Sequence, residues 1–156
     1  MRALVLALVL SCCCWSPPAL PIRVVGDGEH GVVLAHAQVS AIEPLAGVVR
    51  VTSAAELREL SRALGAPPAA AAGLDFYEEC LVAVPLDAAV APRAIEVSSE
   101  EGVDVVILDV EPRSPPGQAA SVSLLRIARR PCQLAVVMRD RVQGRELTLA
   151  VYPVSR

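Results

Sequence analysis

Beyond its first fifteen residues the chain never holds an apolar run for longer than a strand. Cys80 to Val84, Ala94 to Ser98, Val103 to Val110, Val122 to Ile127 and Leu134 to Met138 are each stopped by Gly, Pro or charged residues. Runs of about four to eight residues bounded in this way read as strands. None approaches the roughly 20 consecutive apolar residues that a membrane-spanning helix needs, although the chain is 54% hydrophobic with a mean hydropathy of +0.50. At 156 residues, one core of ordinary size is the expectation.

The strands follow an order. Val24-Val25, Val32-Val33-Leu34 and Val48-Val49 predict short strands broken at Gly26-Asp27-Gly28 and Pro44, and Cys80 to Val84 predicts one that Pro85 ends. Ala94 to Ser98 and Val103 to Val110 form a hairpin about Ser99-Glu100-Glu101-Gly102. Its second strand is apolar on both faces and belongs in the middle of a sheet. Leu134, Val136 and Met138 alternate with Ala135, Val137 and Arg139 before Gly144 turns the chain into Leu147, Leu149 and Val151, a second hairpin. The clearest helix begins at Ser53, where Ser53-Ala54-Ala55-Glu56 is a capping box. Leu57, Leu60 and Leu64 share its apolar face, and Gly65 with Pro67-Pro68 stops it. Ala69 to Gly73 reads as a loop. Many strands and one helix predict an α+β fold, a single domain with a mostly antiparallel β-sheet and one well-defined helix.

The start of the chain has a different character. Met1-Arg2 followed by an unbroken apolar run from Ala3 to Leu10 has the charged head and short hydrophobic stretch of a secretion signal. Val9-Leu10-Ser11-Cys12 resembles the lipobox of bacterial lipoproteins, in which the Cys is lipidated and becomes the mature N-terminus, although Leu10 stands where a small residue is more usual. Cleavage after Ala35-His36-Ala37 is the rival. Residues 1–16 therefore read as a signal peptide with Cys12 as the lipidation site, 17–31 as a Pro-bearing linker and 32–156 as the domain. The protein is expected to be exported, either anchored in the cell envelope by lipid or secreted.

Export bears on the cysteines. Cys12, Cys13 and Cys14 belong to the leader or its edge, leaving Cys80 and Cys132 in the domain. In an oxidising compartment that pair is a disulfide candidate, with two buried free thiols as the alternative. Neither has a second ligand at the short spacing of zinc sites.

The net charge of −3 gives no overall field for nucleic acid or anionic lipid, and aromatics for stacking on bases make up only 3%. Its distribution is uneven. Asp75 to Glu111 holds ten acids and one Arg, whereas Pro112 to Arg156 holds eight Arg and two acids. Oppositely charged strands lying side by side would account for this. The Arg-bearing end, with Arg126, Arg129, Arg130, Arg139 and Arg141, is the candidate partner-binding surface.

Catalytic patterns are missing: no Gly-x-Ser-x-Gly elbow, phosphate-cradling loop or His-Glu-x-x-His helix occurs. Cys80 follows Glu78 and Glu79, which oppose thiolate formation. His30 and His36, with Asp27 and Glu29, offer at most a weak metal site in an exposed turn. No cofactor is called for. Phe76 and Tyr77 are either core residues beside the Asp75 turn or a partner anchor.

Several stretches, in order, resemble the PrcB-like family of exported bacterial domains, often borne on lipoproteins and named for a component that stabilises a surface protease complex. They are Ser40-Ala41-Ile42, Val48 to Ser53 leading into Glu56-Leu57-Arg58-Glu59-Leu60, Leu74-Asp75-Phe76 before a strand, and Arg130-Pro131-Cys132-Gln133-Leu134-Ala135-Val136-Val137. Where the family has a Gly-Gly-Tyr-type segment, Asp87 to Arg93 carries Ala, Val and Pro. The resemblance implies a non-catalytic accessory protein that binds or stabilises another exported protein. The alternative from another class is a small metal-dependent hydrolase built on the His30/His36 region.

Overall fold

A computed structural model describes residues 23–26, 33–43, 45–113 and 120–153. The leader, including Cys12, and the His30 segment lie outside them. Nine strands and one α-helix are present among the described residues: β1 Arg23–Gly26, β2 Val33–Ser40, β3 Val49–Val51, α1 Ala54–Leu64, β4 Glu79–Leu86, β5 Val90–Glu100, β6 Val103–Pro112, β7 Ser121–Ala128, β8 Gln133–Asp140 and β9 Arg145–Tyr152. They make two sheets, ordered β1-β5-β6-β8-β9 and β2-β7-β4-β3. The fold is α+β and mostly antiparallel, as the patterning implies. Only β1–β5 and β6–β8 run parallel.

The sheets pack face to face. Val82, Val84, Leu125 and Ile127 of the four-stranded sheet meet Ile95, Val97, Val106, Leu108 and Val136 of the five-stranded sheet in one buried cluster. Alternation sends the neighbours of the first group the other way. Leu81, Ala83, Val122 and Leu124 join Val51, Leu60 and Leu64 beneath α1. Burying a large side chain contributes roughly 1.5–3 kcal/mol, so strands β4 and β7, which bury side chains on both faces, are the most heavily stabilised part of the molecule.

Local chemistry sets the ends of these elements. Ser53 accepts from the Glu56 amide at 3.3 Å, while the Glu56 carboxylate reaches back to the Thr52 amide at 2.6 Å, one residue before the usual capping-box partner. Gly65 closes α1 in the left-handed region at φ 80°, and a Cβ there would run into the Ile42 side chain. Ile42 and Glu43 donate to Ala63 O, tying the β2–β3 connection to the helix end. At the β5–β6 turn both Glu101 and Gly102 have positive φ, 48° and 81°, the requirement of a two-residue type I′ hairpin.

β1 contains Val24-Val25, where a short strand is expected, and pairs with β5. Two other boundaries differ from expectation. The Ala69–Ala71 loop makes a 3₁₀ turn. Pro85 does not end β4, which continues to Leu86. The reason is positional: β3 covers β4 only from Leu81 to Ala83, so at Pro85 β7 is the only neighbouring strand. A residue without an N–H is tolerated where a strand has a free side.

Leu108, fully buried on central β6, is expected to report the inter-sheet core. Leu108→Ala should lower stability by about 3 kcal/mol, read as a shift in the denaturant midpoint at unchanged slope.

Candidate functional site

The C-terminal hairpin, β8–β9, is the least covered part of the sheet pair. Strand β9 is an edge of the five-stranded sheet. Val142 at the hairpin tip is 72% exposed, and Leu147 and Val151 on β9 are 57% and 58% exposed. Arg141, at the start of the turn, has a side chain 57% exposed. Asp140 shapes the turn by accepting from the Val142 and Gln143 amides at 2.8 and 3.0 Å, and Gly144 takes φ 65°. Apolar side chains held in water on a rigid turn beside an arginine are the composition of a contact surface.

The five arginines expected to form one surface are divided among three places, and most are engaged internally. Arg126, on the helix side of β7, donates to Glu79 at 2.8 Å and to the Ala72 and Gly73 carbonyls. Arg129 donates to Phe76 O at 2.5 Å. Arg130 lies 3.3 Å from Asp104. Arg139, on the outer face of the five-stranded sheet, reaches Asp109 on β6 at 2.6 and 3.1 Å, Glu96 on β5 at 2.5 Å and Glu146 on β9 at 3.8 Å. Its pKa is raised above the ordinary arginine value, first by the hydrogen bonds to Asp109 and then by those to Glu96. Arg141 is the exception: its closest acid is Asp109 at 3.8 Å. The acidic middle and basic end of the sequence thus meet as cross-strand pairs, and the five arginines do not form one surface.

At the other end of β8 the two sheets meet around a cavity of about 20 Å³, enough for one water. Cys80 on β4 and Cys132, just before β8, both line it, with Arg50, Asp104, Arg129 and Arg130. Both are free thiols here. Asp104, only 4% exposed, accepts from Ser99 Oγ at 2.5 Å and from Cys132 Sγ at 2.9 Å. Burial, and then the hydrogen bond to Asp104, push the Cys132 pKa up to about 11. Burial raises Cys80 as well, partly opposed by Arg50, whose guanidinium stands 5.3 Å over the Tyr152 ring. Two neutral thiols at pH 7 are poor nucleophiles. Asp104 escaped the sequence reading; a lone acid inside the otherwise apolar stretch Val103 to Leu108 is the signal that could have found it.

Of the histidine region the structure describes His36 alone. His36 lies on β2 with its Nε2 3.3 Å from Ser123 Oγ, and burial lowers its pKa; His30, Asp27 and Glu29 lie outside the described residues. Among the described residues no group of three or more His, Cys, Asp and Glu could hold a metal ion. Phe76 packs under α1 whereas Tyr77 is 93% exposed. Between Ile42, Leu45, Leu86 and Val122 runs an apolar groove of about 330 Å³, with Asp87 at its edge.

Comparison with protein-family models, curated proteins and solved structures finds no match to this chain.

Two expectations follow. Arg139→Ala should cost about 3 kcal/mol of unfolding free energy, because Asp109 keeps a buried carboxylate with its principal partner removed; chemical denaturation measures this. For His36 the unfolded chain, with a pKa near 6.5, takes up a proton that the buried ring resists. Its stabilising share is therefore complete above pH 6.5 and is lost as pH falls below it. The fall in melting temperature between pH 7.5 and 5.5 should be smaller in His36→Gln than in the parent.

Proposed function

We propose that this protein is a non-catalytic accessory domain of the cell envelope, exported and either lipid-anchored through Cys12 or secreted, that binds or stabilises another exported protein through its C-terminal hairpin. The observation that carries the reading is the exposure of Val142 at the hairpin tip and of Leu147 and Val151 along the edge strand β9, with Arg141 at the start of the turn. Exposed apolar side chains with a largely exposed arginine nearby are how protein partners are anchored. The resemblance to PrcB-like domains agrees in kind, since Arg130 to Val137, its last motif, is the strand that leads into this hairpin. The metal-dependent hydrolase is the alternative reading; of its residues the structure describes His36, whose Nε2 lies 3.3 Å from Ser123 Oγ on the adjacent strand β7.

Processing at or near Cys12 also fits the fold better than cleavage after Ala37. Ala35, His36 and Ala37 sit inside β2, paired with Arg126, Leu125 and Leu124 of β7. Cleavage there would remove half of a strand from the four-stranded sheet.

The test is purification of the tagged full-length protein from gently solubilised native envelopes, with mass spectrometry of associated proteins and of its own N-terminus. The expected result is a lipidated Cys12 and a reproducible exported partner, reduced at least tenfold by Val142→Ser, Leu147→Thr and Val151→Thr together. These surface changes should move stability by about 1 kcal/mol or less. A folded triple variant that keeps the partner at parental yield removes the hairpin from the proposal, and a mature chain starting at Gln38 removes the lipid anchor.

A further inference from the structure

Cys80 and Cys132 come from different sheets and point into the same space. Cys80 belongs to the inter-sheet cluster on β4. Cys132 immediately precedes β8 and lines the same cavity as Cys80. The cavity they share, about 20 Å³, is also lined by Ile127, Ala128 and Leu134.

Their sequence separation makes the juxtaposition consequential. Between the two cysteines lie β5, β6 and β7, so a bond there would enclose strands of both sheets. It would fasten the beginning of β4 to the beginning of β8, at the end away from Asp87–Ala89, where the chain passes from β4 to β5.

We infer that in the exported protein Cys80 and Cys132 are joined by a disulfide that staples the two sheets together. This rests on the proposed export only for the supply of oxidant. The bond forms by exchange with a disulfide-bearing oxidant, either a thiol–disulfide oxidoreductase or a small-molecule disulfide. Cys80 and Cys132 each give up one proton and one electron, one S–S bond replaces two S–H bonds, and the oxidant's disulfide leaves as two thiols. Asp104 loses the S–H donor it now holds and keeps Ser99 and Arg130 as partners.

The reactivity of the reduced pair is consistent with dependence on such an oxidant. Cys132 donates its proton to a buried carboxylate and Cys80 is almost wholly buried. Attack by either on an incoming disulfide requires the thiolate, so spontaneous closure is slow near neutral pH and quickens as pH rises.

The experiment maps the five cysteines of full-length protein taken from native envelopes without reductant, quenched in acid, alkylated and digested. A linked pair of peptides carrying Cys80 and Cys132, two mass units below the reduced sum, is expected. Reduction should lower the melting temperature by on the order of 10 °C in the parent and have no such effect in Cys132→Ala. Free, alkylated Cys80 and Cys132, or either one bonded to Cys12, Cys13 or Cys14, would overturn the inference. A second arm says which premise failed: the reduced protein is placed in oxidised glutathione at pH 8.5. If the 80–132 bond forms there but is absent from the native protein, the oxidising compartment is wrong; if it does not form, the placement of the two sulfurs is wrong.

Discussion

Everything else in this molecule is arranged around the double burial of β4 and β7. Their even and odd residues enter different cores, one shared with the second sheet and one beneath α1. A strand buried on one face can slip in register by exchanging its faces at the cost of that face alone. One buried on both is held by two independent sets of contacts. The pairing of Glu79 to Leu86 with Ala128 to Ser121 runs without a bulge, whereas β2, β5 and β9, which lie farther from this centre, each carry an irregularity.

The same burial explains which parts of the fold can be read from residues. Helix α1 was legible because its stop and start signals are local: Ser53, Glu56 and Gly65 act within a turn of their own positions. The type I′ turn at Glu101-Gly102 and the hairpin at Gly144 are equally local. What is decided at a distance was not legible. The parallel pairing of β6 with β8 depends on β7 leaving for the other sheet, and nothing in Val122 to Ile127 announces which sheet it joins. Pro85 misled for a related reason, since its tolerance rests on the shortness of β3, some 35 residues upstream.

Charge was read correctly in total and only partly in place. The separation into an acidic middle and a basic end reflects the pairing of β5 and β6 with β8, where Arg139 stands directly opposite Asp109. Such a pair sits on the outer face of the sheet, which no helix covers. There it satisfies Asp109, whose carboxylate would otherwise be buried without a partner. An arginine spent in that way is a poor contact residue, because leaving its partner for a ligand would strand a desolvated acid. A list of arginines drawn from sequence cannot make that distinction; the register of the strands makes it.

The two ends of β8 therefore have different work. At its beginning, Cys132 and Arg130 both donate to Asp104 beside Cys80 of the other sheet, and a ligand there would have to displace interactions that hold the fold. At its far end, Asp140 fixes the turn through the Val142 and Gln143 amides while leaving Val142 and Arg141 in water. A partner meeting this turn finds a backbone already ordered, so its binding carries little of the entropy cost that a flexible loop would impose. Stability concentrated at one end and exposure at the other allow the hairpin surface to change without loosening the sandwich. That separation is the physical basis for looking for function at the tip.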